Sequence, residues 1–407
     1  MSHSAPPLRG GHRLQLLEGS REFFPALVEA MDLARQEVRL ETYIFDFTGS
    51  SVEVAYALER AARRGLAVMV VVDGLGSPAL SPAWRHRFEQ AGVQWQVYSP
   101  LSKLGLLWPG QWRRLHRKLC VIDGQEVFCG GINILDDFHD PNHGALAAPR
   151  FDFAVRVTGP LAVEATSTMA RFWQRTMAMR RLSQARLTGV LDSLRASSAA
   201  VPQGSRHWRP PDETTPPARA ALVLRDNLGN RTRIERAYRR AVGSARTEVI
   251  IANAYFVPGR KMRLALVAAA QRGVRVRLLV QGRYEYFMQY YASRPIYGAL
   301  LRAGVEIHEY SPSFLHAKVA VVDGHWATVG SSNLDPLSLL LAREANVMVE
   351  DAQFAADLRV RLVRAMEEGV RMDPTQYENR PLLQRVLERV ALVAMRLALA
   401  IQGKKYL

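Results

Sequence analysis

Short apolar runs alternate with amphipathic stretches along most of the chain. Residues 37–45 predict a strand, 51–64 a helix and 66–73 a second strand, followed by a helix near 82–91 and a strand at 93–98. The same order returns at 247–256, 259–272, 274–281, 293–303 and 305–310. Strands separated by helices predict an α/β sandwich around a mostly parallel sheet, built twice.

The doubling is also written in the residues. AARRGLAVMVVVDG at 61–74 answers AAQRGVRVRLLVQG at 269–282, and AGVQWQVYSP at 91–100 answers AGVEIHEYSP at 303–312. LHRKLCVIDG at 115–124 then answers LHAKVAVVDG at 315–324. Three blocks in one order predict two copies of a domain, at 12–193 and 220–376. Between them, residues 194–219 are rich in Pro, Ser and Ala without apolar periodicity, which reads as an exposed linker. Residues 377–407 form a tail whose segment 381–401 has helical length and periodic apolar positions. Arg385, Arg389 and Arg396 interrupt that pattern, and Lys404 and Lys405 follow it. Such a helix fits a lipid interface and equally a seat on the protein's own body.

Charge narrows the partners. In 407 residues Lys plus Arg number 54 against 38 for Asp plus Glu, a net charge of +16, while hydrophobic residues make up 48%. The composition predicts a folded core, and the charge favours a polyanionic partner, nucleic acid or an anionic membrane, with a solubility role as the other reading. The two cysteines, Cys120 and Cys129, sit in apolar stretches with no CxxC or Cys/His cluster. They read as buried thiols of a reducing compartment, with no zinc site. The N-terminus lacks the apolar core of a signal peptide. No apolar run has spanning length, so a membrane partner would be met from its surface.

The copies agree best at one constellation. The first has His116, Lys118, Asp123, Gly130, Gly131 and Asn133; the second has His316, Lys318, Asp323, Gly330, Ser331 and Asn333, each offset by 200. His and Lys two apart on a strand face the same way. Gly131 and Ser331 are small enough for backbone to approach a ligand, and the Asn amides can donate hydrogen bonds. Two such half-sites facing each other would bring two imidazoles, two ammonium groups and two amides to one phosphoryl group. The cations would neutralise its oxygens without a metal, one His would attack phosphorus, and the other would protonate the leaving alcohol.

HxKxxxxD followed by GGxN or GSxN, twice in one chain, resembles the phospholipase D superfamily. EVIIANAYF at 248–256, HWATVGSSNLDPLSL at 325–339 and LHRK at 115–118 resemble bacterial cardiolipin synthases, most of all the B type. The resemblance implies two tandem phospholipase D-like α/β/α sandwich domains sharing one active site. It implies phosphatidyl transfer from one phosphatidylglycerol to another through a phosphohistidine, without cofactor or metal. His116, Lys118, Asp123, His316, Lys318 and Asp323 match the family motif, with His116 as nucleophile, His316 as general acid and both Asp residues orienting loops. A carboxylate beyond each Asn is implied to buttress a His: Glu344, eleven residues past Asn333, and Asp152, nineteen past Asn133. It implies a peripheral enzyme on the cytoplasmic side of a bacterial inner membrane, with anionic phospholipid as partner and no nucleic acid expected. Nucleases share the superfamily, so the alternatives are a nucleic-acid phosphodiesterase, or a phosphatidyl-transferring or hydrolysing enzyme that uses phosphatidylethanolamine or water.

One segment of copy one has no counterpart. After the shared YSP, copy two reaches its His in three residues and copy one in fifteen, 101–115, an insertion of 15 − 3 = 12. It holds Leu104, Leu106, Leu107, Trp108, Trp112, Arg113 and Arg114, a mix suited to a lipid headgroup boundary. The aromatic stretch 284–297 could line an acyl groove, stack bases or form core.

Overall fold

A computed structural model describes residues 6–100, 113–184, 218–226, 230, 232–284, 287–335 and 342–401. Copy one contributes β1 (Arg9–Glu18), β2 (Glu37–Thr42), β3 (Ala67–Asp73), β4 (Gln94–Tyr98), β5 (Arg114–Leu115), β6 (Lys118–Ile122), β7 (Glu126–Gly130), the small hairpin β8 (His139–Asp140) and β9 (Gly144–Ala145), and β10 (Phe153–Thr158). Copy two contributes β11 (Ala218–Arg225), β12 (Glu248–Asn253), β13 (Arg275–Gln281), β14 (Glu306–Tyr310), β15 (Lys318–Val322), β16 (Trp326–Gly330), β17 (Ala342–Glu350) and β18 (Val370–Arg371). The helices are α1 (Gly19–Leu33), α2 (Val52–Arg63), α3 (Pro82–Ala91), α4 (Leu161–Gln184), α5 (Arg233–Ser244), α6 (Arg260–Gln271), α7 (Phe287–Arg302), α8 (Ala352–Glu367), α9 (Pro374–Glu378) and α10 (Leu382–Ile401).

All strands but β8 and β9 join one sheet, ordered β18-β14-β13-β12-β15-β16-β17-β11-β1-β10-β7-β6-β2-β3-β4, with β5 on β17. The two halves are mirror lists of one another, stitched by β1 against β11. The α/β alternation expected from the apolar pattern is present in both. The sheet is not mostly parallel, however. Strands β2, β3 and β4 run parallel, as do β12, β13 and β14, but β6–β7 and β15–β16 are antiparallel hairpins. The cause is local: Asp123-Gly124 and Asp323-Gly324 stand at positive φ, and a tight Asp-Gly turn can only join antiparallel neighbours.

Three large apolar clusters hold the layers of the described residues. One lies under α1, α2 and α3 on the outer face of copy one, and a second under α5, α6, α7 and α10 on the outer face of copy two. The third is shared: Leu119 and Val121 of β6 belong with Val319 and Val321 of β15, and Leu161, Met169, Leu358 and Leu362 of α4 and α8 close it. The copies therefore share one core, and removing either would expose the inner face of the other.

Helix α7 begins at residue 287 and not at the expected 293. Tyr297 and Ile296 of the aromatic stretch are core, while Tyr284 and Tyr290 pack edge to face. Cys120 and Cys129 are buried free thiols, as expected. Most of the expected linker, and residues 101–112 of the insertion with its Leu and Trp residues, lie outside the described residues, as do Lys404 and Lys405. Ala218 and Arg219, at the end of the expected linker, already belong to β11.

Candidate active site

His116 and His316 precede their strands and do not lie within them; β6 and β15 begin at Lys118 and Lys318. Each His is pinned by the other copy. The His116 N–H donates to the Arg343 carbonyl at 3.0 Å, and the His316 N–H donates to the Phe151 carbonyl at 2.9 Å. Their side chains repeat the exchange. Nδ1 of His116 lies 3.0 Å from Glu344 Oε1, and Nδ1 of His316 lies 2.6 Å from Asp152 Oδ2. Each imidazole is thus anchored through Nδ1, which directs Nε2 away from the carboxylate. Lys118 Nζ donates to the His116 carbonyl at 2.8 Å, and Lys318 Nζ to the His316 carbonyl. Lys318 Nζ is also 3.8 Å from Asp152. Two imidazoles, two ammonium groups and two carboxylates form one buried electrostatic unit at the seam of the copies.

The unequal spacing of the carboxylates has a simple origin. Ala154 pairs with Gly130, and Asn346 pairs with Gly330. Asp152 and Glu344 each stand two residues upstream of those partners, so they are equivalent positions. The extra residues of copy one contain the β8–β9 hairpin between Asn133 and Asp152.

Small residues face both carboxylates. A Cβ on Gly131 would stand 2.2 Å from Asp152 Oδ1, so only glycine fits there. Ser331 at the matching place donates its hydroxyl to Glu344 Oε2. Asn133 accepts from the Ile44 N–H at 3.2 Å through Oδ1, leaving its amide NH₂ as the donor end, and Asn333 is buried beside Ser331 and Ser332.

Asp123 and Asp323 are not brought to this point. They sit just past the far ends of β6 and β15, five residues along the chain and about 16 Å from the Lys residues. Asp123 accepts backbone N–H bonds from Arg35, Gln36 and Glu37 at 2.8–3.0 Å; Asp323 accepts them from Arg246, Thr247 and Glu248 at 2.8–2.9 Å. They tie the hairpin to the start of β2 or β12 and stand apart from the His and Lys pairs.

Burial sets the protonation, and the two halves differ. It pushes His116 below its ordinary value, against the pull of Glu344. Burial also drives Lys118 down to about 7, with Lys318 adding to the effect. His316 is pushed well below its ordinary value by burial and by both ammonium groups. Burial raises Asp152 to about 7, with Asp137 adding to it. Burial would raise Glu344 as well, but His116, Arg225 and Lys118 outweigh it and hold it below the usual carboxylate range. Arg225 accounts for part of the difference. Its strand position pairs with Glu344, its guanidinium is 3.9 Å away, and it is buried. Opposite Asp152 the first copy has Gly19, whose N–H donates to the Asp152 carbonyl at 2.9 Å and whose Cβ position faces the Asp137 carboxylate. Glu344 is therefore backed by a cation and Asp152 by a second acid.

Arg225 and Asp137 were not singled out from the sequence. A lone Arg inside the apolar run AALVLR was the available signal for the first. Tyr43, whose ring centroid is 5.1 Å from that of His116 and 5.4 Å from Lys118 Nζ, carried none.

Two α/β halves that meet at a duplicated His–Lys pair define a phospholipase D-like enzyme. Residues 27–147 and 238–366 both match the family described as "Cardiolipin synthase, PLD-like domain". The chain belongs to that family, and with it to the phosphatidyl-transferring enzymes. It is 39% identical over 352 residues to cardiolipin synthase B of Escherichia coli (strain K12), covering 86% of this chain and 79% of that protein. It is 28% identical over 382 residues to cardiolipin synthase A of Edwardsiella ictaluri, covering 93% and 74%. Among solved structures, the phosphatidylserine synthase of Haemophilus influenzae has the same fold, with a TM-score of 0.66 at 14% identity over 95% of this chain and 94% of that one.

Proposed function

We propose that the enzyme makes cardiolipin from two phosphatidylglycerols, through a phosphohistidine on His116. The observation that carries this reading is the unequal backing of the two imidazoles. Glu344, held ionised beside Arg225, fixes His116 as the Nδ1–H tautomer with a free Nε2 lone pair. That lone pair attacks phosphorus, the bond from phosphorus to the headgroup glycerol oxygen breaks, and His316 gives that oxygen a proton. The free primary headgroup hydroxyl of a second phosphatidylglycerol then loses its proton to His316 and attacks phosphorus, and the bond to His116 breaks. The free site keeps His316 neutral because burial, and then the two ammonium groups, disfavour its charged form. A phosphodiester anion between Lys118 and Lys318 offsets those charges, so substrate binding itself loads His316 with the proton it must donate. Asp152 then steadies the imidazolium.

The reading places the enzyme on the cytoplasmic face of a bacterial inner membrane, peripheral and drawn to anionic lipid by its charge of +16. No described helix is long and apolar enough to cross a membrane.

Incubation with phosphatidylglycerol vesicles tests the donor and acceptor together. Cardiolipin and glycerol in equal amounts are expected, phosphatidic acid at most a minor product, and single-stranded DNA left intact. Phosphatidic acid as main product would make water the acceptor. Turnover only after phosphatidylethanolamine is added would make that lipid the donor, and cleaved DNA would make the enzyme a nuclease.

A further inference from the structure

Helix α10 has two faces and covers only one. Gln384, Glu388, Ala391, Leu392 and Met395 turn inward, and Ala391, Leu392 and Met395 join the core with Ala292, Ile296 and Leu300 of α7. Tyr377 of α9 donates its hydroxyl to the Arg294 carbonyl, and Glu378 pairs with Arg302 at the C-terminal end of α7. From there α10 packs along α7.

The other face is apolar and open. Leu383 is 72% exposed, Val390 59% and Val393 50%, with Leu382, Val386 and Leu387 alongside. At about 100° per residue these six cover an arc of about 140°. Arg385 and Arg389 form a row between that arc and the buried face. A soluble surface helix keeps polar residues outward, and this one does the opposite.

Charge selects the occupant. The only acid on the described part of α10 is Glu388, which is buried and paired with Arg380 at 2.7 Å. Every exposed charge there is basic. A second copy docking by the same arc would bring no carboxylate from this helix to receive those guanidiniums, whereas anionic headgroups would. An apolar arc flanked by Arg is the pattern of a helix lying in the headgroup boundary. We infer that the outer face of α10 is a docking surface for an anionic lipid bilayer, with Leu383, Val386, Leu387 and Val390 entering the boundary and Arg385 and Arg389 meeting the headgroups. The inference rests on the lipid reading of the active site and names an element that would hold the enzyme on the bilayer.

Cosedimentation of the full chain with vesicles tests it. The vesicles are phosphatidylserine in phosphatidylcholine, so binding is read without the proposed donor. The variant Leu383→Gln/Leu387→Gln/Val390→Gln changes exposed positions only, and its melting temperature is measured alongside. The variant is expected to bind at least tenfold more weakly, with an unchanged melting temperature and undiminished turnover of short-chain phosphatidylglycerol below its micelle concentration. Arg385→Gln and Arg389→Gln are each expected to lower affinity about fivefold at low salt. Native-like vesicle binding by the triple variant overturns the docking surface. So does a dimer that dissociates in the triple variant while vesicle binding stays, because the face would then be a contact between copies. Normal docking without cardiolipin formation would refute the proposed reaction and leave the docking surface standing.

Discussion

His116 Nδ1 is 3.0 Å from a carboxylate oxygen of Glu344, a residue 228 positions further along the chain. The pair crosses from one copy to the other, and His316 with Asp152 crosses back. Neither copy holds a complete half-site of its own. The Lys is local to its His, but the group that orients the imidazole belongs to the other half. Duplication followed by exchange of the orienting carboxylates accounts for a single site in a doubled chain.

Glu344→Gln keeps the shape of the pair and removes the charge. Without it His116 loses its fixed tautomer, and kcat is expected to fall about 10²–10⁴-fold with KM little changed. Arg225→Met, which leaves Glu344 unbacked, is expected to cost about 10-fold or more in kcat. Steady-state kinetics on both variants check this; a Glu344→Gln enzyme within threefold of native would remove Glu344 from the mechanism.

Gly131 and Ser331 occupy matching places and should respond differently. Gly131→Ser puts a Cβ where Asp152 Oδ1 now stands, so Asp152 must move and His316 loses its anchor. A loss of about 10²-fold or more in kcat is expected. Ser331→Gly removes the hydroxyl's hydrogen bonds to Glu344 and to the Ala345 backbone but displaces no carboxylate, and about 10-fold is expected. Equal losses from both would contradict the asymmetry.

Activity should fall as pH rises through neutrality. Lys118 is charged below about 7 and loses its proton above it, and Asp152 loses its own near the same pH. Both losses strip the free site of positive charge or of its transferable proton, so kcat/KM is expected to decline above about pH 7 with a limiting slope steeper than one decade per unit. The limb in kcat should lie at higher pH, because bound phosphodiester favours the ammonium form of Lys118. A kcat/KM that is flat or rising between pH 7 and 9 would contradict these assignments.

The motif Asp should matter for stability before chemistry. Burial alone would raise Asp323, but the N–H groups of Glu248, Thr247 and Arg246 bring it down to about 2 from an ordinary 3.8. Its contribution is present in full above 3.8 and is lost as pH falls toward about 2. Asp323→Asn is expected to cost about 1 kcal/mol at pH 7 in urea melts, allowing for solvent screening, and the gap to native should narrow as pH is lowered from 5 to 3. Rates per folded molecule should stay within about threefold. A hundredfold loss in folded Asp323→Asn would return Asp323 to the chemistry.

Much of this was legible in the residues. The fixed offset of 200 located His, Lys, the small residues and Asn, because hairpins of equal length leave no room for insertion. The α/β alternation was legible for the same reason that it folds: apolar runs of strand length recur between amphipathic helices. Three things were not. The antiparallel hairpins were hidden by strands buried on both faces, whose continuous apolar runs look like parallel ones, although the Asp-Gly turns marked them. The equivalence of Asp152 and Glu344 was masked by the β8–β9 hairpin, since sequence counts residues whereas a sheet counts register. The crossing of the carboxylates was beyond reach, because a linear pattern says which groups recur and not which copy they face.

The most direct measurement is a rapid alkaline quench with phosphorus-labelled phosphatidylglycerol, followed by peptide mapping. Native enzyme is expected to carry label on His116 alone, and His316→Ala to alter its accumulation without moving it. Glu344→Gln is expected to carry far less, whereas Asp152→Asn should still label His116. Label on His316, on a Ser or Asp, or on no residue during productive turnover would contradict the account.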